Sequence, residues 1–398
     1  MKFWIGQSIS VFGAQFSPLA IGAIAIFALG AADAQLGYLA FLNTIPFLTL
    51  GLLVGVWTDR HRRRRIMVLA DFGRAAILFT IPAFYFFYQL SLNLLYVVTL
   101  VAGILTVFFE IAYQANIPSL VEKSQIVEAN TKMETTRALS GAAGPAVAGF
   151  VIKAISAPIA VFADCLGYLS SSFSLLLLRK PEPTLTPVAG RSTWRDIREG
   201  LSVVAGDKRL RAIAATTATS NLFSSAWGAI SLLYFFKNLN MTTDLVGLAF
   251  GIGSLGGVLG AVTATRFIRA LGVGRAIITS IALLSPVPLV LFFTTPAIAF
   301  PVVVAVFFFG SLGALWYNIP QVSYRQALVP REVQGRMNAT MRTIVWGTLP
   351  LGGLMGGLVG SVIGTQQTIG LMAALGSLAF LWVLFSPVRQ VREMPSGT

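Results

Sequence analysis

Residues 55–65 read Gly-Val-Trp-Thr-Asp-Arg-His-Arg-Arg-Arg-Arg and stand between two apolar stretches, each long enough to cross a bilayer. An arginine at the centre of a membrane helix costs about 3 kcal/mol on insertion scales, so four in a row must lie outside the hydrocarbon. The bias of Lys and Arg toward cytoplasmic loops places this one inside the cell. The rest of the chain agrees: 56% of its 398 residues are hydrophobic and only 11% are charged, the composition of a polytopic membrane protein. A net charge of +14 would suggest a nucleic-acid partner in a soluble protein, but here the basic residues sit at helix ends and mark topology.

Twelve segments of about 20 residues fit between polar or Gly/Pro breaks. They run 3–29, 35–57, 66–88, 93–115, 132–154, 159–178, 211–236, 244–265, 275–294, 297–318, 338–361 and 367–386. The expected fold is all-α and polytopic, with twelve transmembrane helices in two six-helix pseudo-repeats. With both termini inside, all of the 29 Lys and Arg except Lys153, Lys237 and the intramembrane Arg74 fall on the cytoplasmic side. The N-terminus enters its first apolar run within three residues and shows no small-residue cleavage site, which reads as a retained helix.

The longest polar stretch divides the chain into an N-terminal bundle (1–178), a cytoplasmic linker (179–210) and a C-terminal bundle (211–398). Within the linker Trp194, Ile197, Leu201 and Val204 recur at helical spacing opposite Arg195, Arg198 and Glu199, predicting a helix along the membrane surface. An offset of 208 residues superposes Leu120-Val121 on Leu328-Val329, Asn130 on Asn338, Met133 on Met341 and Thr135 on Thr343, the mark of a duplication. Parallel repeats of this kind place a pathway between the halves.

Polar stripes locate its lining. Thr99, Gly103, Thr106, Glu110 and Tyr113 share one face of the fourth span, Ser311, Asn318 and Gln321 one face of the tenth, and Thr217, Asn221, Ser224, Gly228 and Ser231 one face of the seventh. Such faces must meet protein or water, because lipid would leave them unsatisfied. Trp227, Tyr234, Trp316 and Tyr317 are candidate aromatic walls, with packing or interfacial anchoring as the alternative.

Charged residues inside the spans are few. Glu110 lies about 7.5 Å from the cytoplasmic end of the fourth span, at nearly the depth of Arg137 on the antiparallel fifth, so the two are expected to pair in a protonation-sensitive way. Asp71 and Arg74 are spaced to satisfy each other on the third span, and Asp164 is expected to meet Lys153 across a short loop. Gly352, Gly356, Gly360 and Gly364 on the eleventh span, and Gly253, Gly256, Gly257 and Gly260 on the eighth, permit close helix contact. A single cysteine (Cys165) and a single histidine (His61) supply no catalytic or metal-binding constellation, and no phosphate-binding Gly-x-x-x-x-Gly-Lys-Ser/Thr loop is present. The chain therefore reads as neither an enzyme nor a cofactor protein.

The loop at Gly55, Asp59, Arg60, Arg63 and Arg64 matches a signature of the major facilitator superfamily, with Arg62 standing where the family pattern has Gly. Gly144-Pro145-Ala146-Val147-Ala148-Gly149, with Gly141 close to the position of the upstream Gly, is similar to the Gly-Pro-x-x-Gly-Gly motif of its drug:proton antiporter branches. Over nearly its whole length the chain resembles bacterial exporters of the enterobactin-export and macrolide-efflux type. The resemblance implies a proton-coupled secondary transporter of the inner membrane that exports an amphipathic organic molecule, a drug or siderophore, by alternating access. It also implies a latch in which Asp59 meets the start of the eleventh helix, near Asn338, and a hinge at Gly141, Gly144, Pro145 and Gly149. Uptake or lipid flipping on the same fold, and a receptor without flux, are the competing readings.

Overall fold

The computed structural model describes residues 2–58, 61–120, 126–177 and 193–393. Helices dominate them: α1 (Lys2–Gly13), α2 (Phe16–Ala23), α3 (Asp33–Thr58), α4 (Arg63–Phe86), α5 (Leu92–Leu120), α6 (Ile126–Ala154) and α7 (Ala157–Leu176) come first. They are followed by α8 (Thr193–Gly206), α9 (Lys208–Leu233), α10 (Thr243–Leu271), α11 (Val273–Leu284), α12 (Ala299–Leu328), α13 (Arg331–Ile363), α14 (Thr365–Ser377) and α15 (Phe380–Leu384). Helix is what hydrocarbon demands, since it satisfies every backbone N–H and C=O within one segment. Among the described residues nine helices are long and apolar enough to span a membrane. With α3, α6 and α9 they make the twelve transmembrane helices of the fold.

Local chemistry sets the breaks. Gly272 and Gly364 take φ of 78° and 90° where α10 turns into α11 and α13 into α14, a conformation that disfavours any residue with a Cβ. The ninth span changes from α11 to a 3₁₀ segment, Val287–Phe293, around Pro286 and Pro288. A π-helical turn ends the first span of each half, at Ile24–Ala28 and at Tyr234–Asn238.

The chain divides into two compact units, Met1–Ala189 with Met241–Gly251, and Gly190–Asn240 with Ile252–Thr398. In the first, α4 packs on α5 and α7, α1 on α7 and α3 on α5. Met67, Ala112 and Leu175 are fully buried in its core. In the second, α13 lies along α9. Its glycines make that approach possible: a Cβ on Gly356 would fall against the carbonyl oxygen of Ala226. Gly356→Leu is expected to lower stability by about 1–3 kcal/mol or more, while Gly335→Ala, where a Cβ meets open space, stays near wild type. Thermal unfolding in detergent reads both.

α8 packs on α13. Its packed face is Gly200 and Val204, set against Thr340 and the α13 backbone, with Glu199 paired to Arg336, whereas Leu201 is exposed. The helix thus docks on α13 through residues that place the Glu199 carboxylate within reach of Arg336. Trp194, Arg195 and Ile197 have side chains outside the described set.

α9 begins on a built cap. Asp207 accepts hydrogen bonds from the N–H groups of Arg209 and Leu210 at 2.7 and 3.3 Å and pairs with the Arg209 guanidinium. The Arg209 side-chain bond holds the Asp207 carboxyl below the usual carboxylate range. A depressed folded value means the cap's contribution is present above the unfolded carboxylate pKa, about 3.9, and is lost as pH falls through the folded one. Asp207→Ala is expected to cost about 1 kcal/mol at neutral pH, with the difference from wild type shrinking in acid unfolding below about pH 4.

Candidate functional site

The C-terminal unit holds a cavity of about 530 Å³, within the roughly 300–1,000 Å³ of sites for drug-sized ligands. Thr217, Asn221, Ser224 and Trp227 of α9 line one side and Ser311, Tyr317 and Asn318 of α12 another, so the two stripes read from spacing converge. α11, α13 and α14 close the rest with Ser280, Trp346 and Met372. Among the described residues that line it, none carries a charged side chain. The polar groups are held in place: Thr217 and Tyr317 share a hydroxyl–hydroxyl bond, Asn221 donates to the Val345 carbonyl at 3.2 Å, and Trp227 leans toward Phe307 with 6.2 Å between ring centroids. The described wall offers hydroxyls, two amides and aromatic faces to a ligand.

Three expected lining residues fall elsewhere. Gln321 is buried and donates to Asn318 Oδ1 at 3.1 Å, so it braces a lining residue without reaching the cavity. Trp316 stacks on Phe267 and donates to Thr263 at 2.9 Å, and Tyr234 is buried with its hydroxyl on the Leu291 carbonyl. Both side chains are packed against neighbouring helices.

In the N-terminal unit Thr106 bonds its own helix at Ala102, while Tyr113 is buried under the guanidinium of Arg137, 5.6 Å from its ring centroid. Glu110 and Arg137 approach to 3.8 Å, with Glu134 3.9 Å away on the other side. Their side chains remain 31% and 40% exposed, so this is a loose, part-solvated pair in which one arginine is shared by two carboxylates.

The dry charges are deeper. Asp71 and Arg74 pair on α4 with side chains 0% and 6% exposed, and Arg74 is sandwiched between the rings of Phe109 and Tyr168 at 4.3 and 4.1 Å. Ser171 donates to Asp71, and Gln7 of α1 donates to Ser171. Asp164, buried on α7, accepts from Ser17 of α2. The expected Asp164–Lys153 pair does not form. Asp164 lies two turns inside α7, whereas Lys153 at the end of α6 bonds Asp244 of α10 at 2.8 Å. Gly149 and Gly247 let those two helices touch there, since a Cβ on either would meet the other's backbone. Gly144 packs on Gln15, Pro145 sits within an unbroken α6, and Gly141 faces open space.

In the arginine loop, Gly55 has open space where a Cβ would stand and Arg64 donates to the Leu176 carbonyl at 2.6 Å. Arg63, at the first position of α4, is part-buried. Asp59 and Arg60 lie outside the described residues. The helix start expected near Asn338 is at Arg331, so Asn338 sits two turns inside α13.

The model of the Major Facilitator Superfamily matches residues 3–347. The chain belongs to that superfamily. It is therefore a multi-pass membrane transporter, from a family of carriers that are typically not enzymes. Superfamily relatives include macrolide efflux protein A of Streptococcus pyogenes, 24% identical over 92% of this chain and 90% of that protein. The Enterococcus faecalis protein of the same name is 24% identical over 79% of this chain and 97% of its own length. Among solved structures, a bacterial homologue of the human lysosomal transporter Spinster, inward-facing and unoccupied, superposes with a TM-score of 0.76 at 12% identity, covering 98% and 97% of the two chains. The nucleoside transporter NupG superposes at 0.74 with 13% identity over 96% and 98%. These two share the superfamily fold.

Proposed function

We propose that this transporter exports an amphipathic, hydroxyl-bearing organic molecule in exchange for protons, by alternating access, from a bacterial cell whose plasma membrane it spans with both termini cytoplasmic. The observation that carries the reading is the neutral, aromatic-and-hydroxyl cavity of the C-terminal unit. Such a wall suits a large, weakly polar cargo recognised by shape, stacking and hydrogen bonds. The names of the macrolide-efflux relatives support export and a cargo of that chemistry. Glu110 and Arg137 are the proposed coupling pair: a part-solvated carboxylate stands beside an arginine that it shares with Glu134. Gly55, Asp59, Arg60, Arg63 and Arg64 are proposed to gate, and Gly141, Gly144, Pro145 and Gly149 to hinge.

Inverted vesicles test this directly. With an inside-acid gradient they are expected to accumulate an erythromycin-type macrolide, and a protonophore is expected to abolish accumulation. Accumulation unaffected by the protonophore would remove the proton from the mechanism, and flux only in right-side-out vesicles would reverse its direction. Glu110→Gln is expected to uncouple flux from pH, and a variant with an unchanged pH profile would relieve Glu110 of that role.

A further inference from the structure

Where α10 gives way to α11, the C-terminal segment folds back and closes a cleft of about 1190 Å³. It is held by backbone pairing: Val273 N–H donates to the Arg392 carbonyl at 3.1 Å and Gly274 N–H to the Val391 carbonyl at 2.9 Å. Gly274 is required for that seat, because a Cβ there would fall on the Val388 carbonyl oxygen. Arg269, Arg275, Arg389 and Arg392 converge on the cleft against the single acid Glu393. All four are exposed, and none takes part in an ion pair or hydrogen bond through its side chain among the described residues. Topology alone asks for positive charge in a loop, and does not ask for a concave wall or for four guanidinium groups on one opening.

The remaining wall is aliphatic. Ile268 and Leu271 at the end of α10, Ile278 one turn into α11 and Leu384 of α15 line the same cleft. The opening lies at the ends of two membrane spans, where hydrocarbon gives way to headgroups. Guanidinium forks match phosphate oxygens in geometry and charge, and an aliphatic wall below them matches the glycerol and first methylenes of a lipid.

We propose that this cleft binds the headgroup of an anionic phospholipid, with the arginines on the phosphate and the aliphatic wall against the upper acyl chains. The bound lipid would pin the C-terminal segment and the α10–α11 turn to the membrane surface.

The test uses full-length protein in detergent, with phosphatidylglycerol, phosphatidylcholine or millimolar inorganic phosphate added. Native mass spectrometry counts retained lipids and thermal unfolding reads the effect. Phosphatidylglycerol is expected to remain bound and to raise Tm, phosphatidylcholine and inorganic phosphate to do neither. Arg275→Gln/Arg392→Gln is expected to lose the adduct and the Tm increment. Arg62→Gln/Arg65→Gln, which removes the same charge from exposed positions of the first basic loop, is expected to keep both. Equal loss in the two double variants would reduce the effect to net charge and overturn the site. A Tm increment from inorganic phosphate equal to that from phosphatidylglycerol would replace the lipid by a soluble anion and overturn the assignment. Because neither readout involves transport, failure here leaves the export reading standing, and failure of export leaves this one.

Discussion

Replacing Asp71 with alanine will remove most folded protein from the membrane. The Arg74 guanidinium is 6% exposed and its charged partner on the same helix is Asp71. Breaking a buried pair from one side strands a charge in a dry interior, at about 3–5 kcal/mol, a large share of the 5–15 kcal/mol that holds a typical protein folded. The rings of Phe109 and Tyr168 on either side of the guanidinium soften this loss without replacing the carboxylate. Asp71→Leu combined with Arg74→Met, which deletes both charges at similar volume, is expected to recover most of the folded yield. Size-exclusion profiles of solubilised protein distinguish the cases. A single variant as monodisperse as wild type would mean that the pair is dispensable. If the double variant alone recovers, the cost lies in the unpaired arginine and not in lost packing.

Trp227→Ala is expected to reduce cargo affinity by about 30-fold while leaving the fold intact. Removing an aromatic anchor from a well-formed site commonly costs about 2 kcal/mol or more, which corresponds to that factor. Trp227 lines the cavity and contacts Phe307 at ring distance, so its loss opens the wall without breaking a buried hydrogen bond. Trp316→Phe is the matched control: it keeps a ring to stack on Phe267, loses the bond to Thr263, and lies outside the lining. Tryptophan-quenching titrations with cargo, together with unfolding curves, separate the two. Unchanged affinity in Trp227→Ala would place cargo recognition elsewhere, and a fall in both variants would point to general loosening of the unit.

Much of the architecture was legible from residue order, for a physical reason. Hydrocarbon imposes one length and one backbone solution on every span, so twelve apolar or polar-striped segments could be marked before any contact was known. Helical periodicity also put Thr217, Asn221 and Ser224 on one face, because their angular separation is a property of the helix alone. Partners across helices followed no such rule. Lys153 has Asp164 eleven residues away, yet it bonds Asp244, brought to it by Gly149 and Gly247. The signal that marks Ser17, Ser171 and Gln7 as partners is their polarity within apolar runs, and it does not say which carboxylate each one serves. The paired π-turns at Ile24–Ala28 and Tyr234–Asn238 record the duplication in backbone geometry without shared residue types.

Span number, helical class and the separation of basic loops from apolar segments are local quantities, written in hydropathy over about twenty residues and in the cost of moving charge into lipid. Which charges meet, and how dry they are, depends on the rotation and depth of each helix against its neighbours. Packing therefore left Glu110 and Arg137 part-solvated and loosely paired, and sealed Asp71, Arg74 and Asp164 among rings and hydroxyls. It also turned the stripes of α9 and α12 into one neutral cavity. A helix can specify which residues share its face, but the face opposite belongs to another part of the chain.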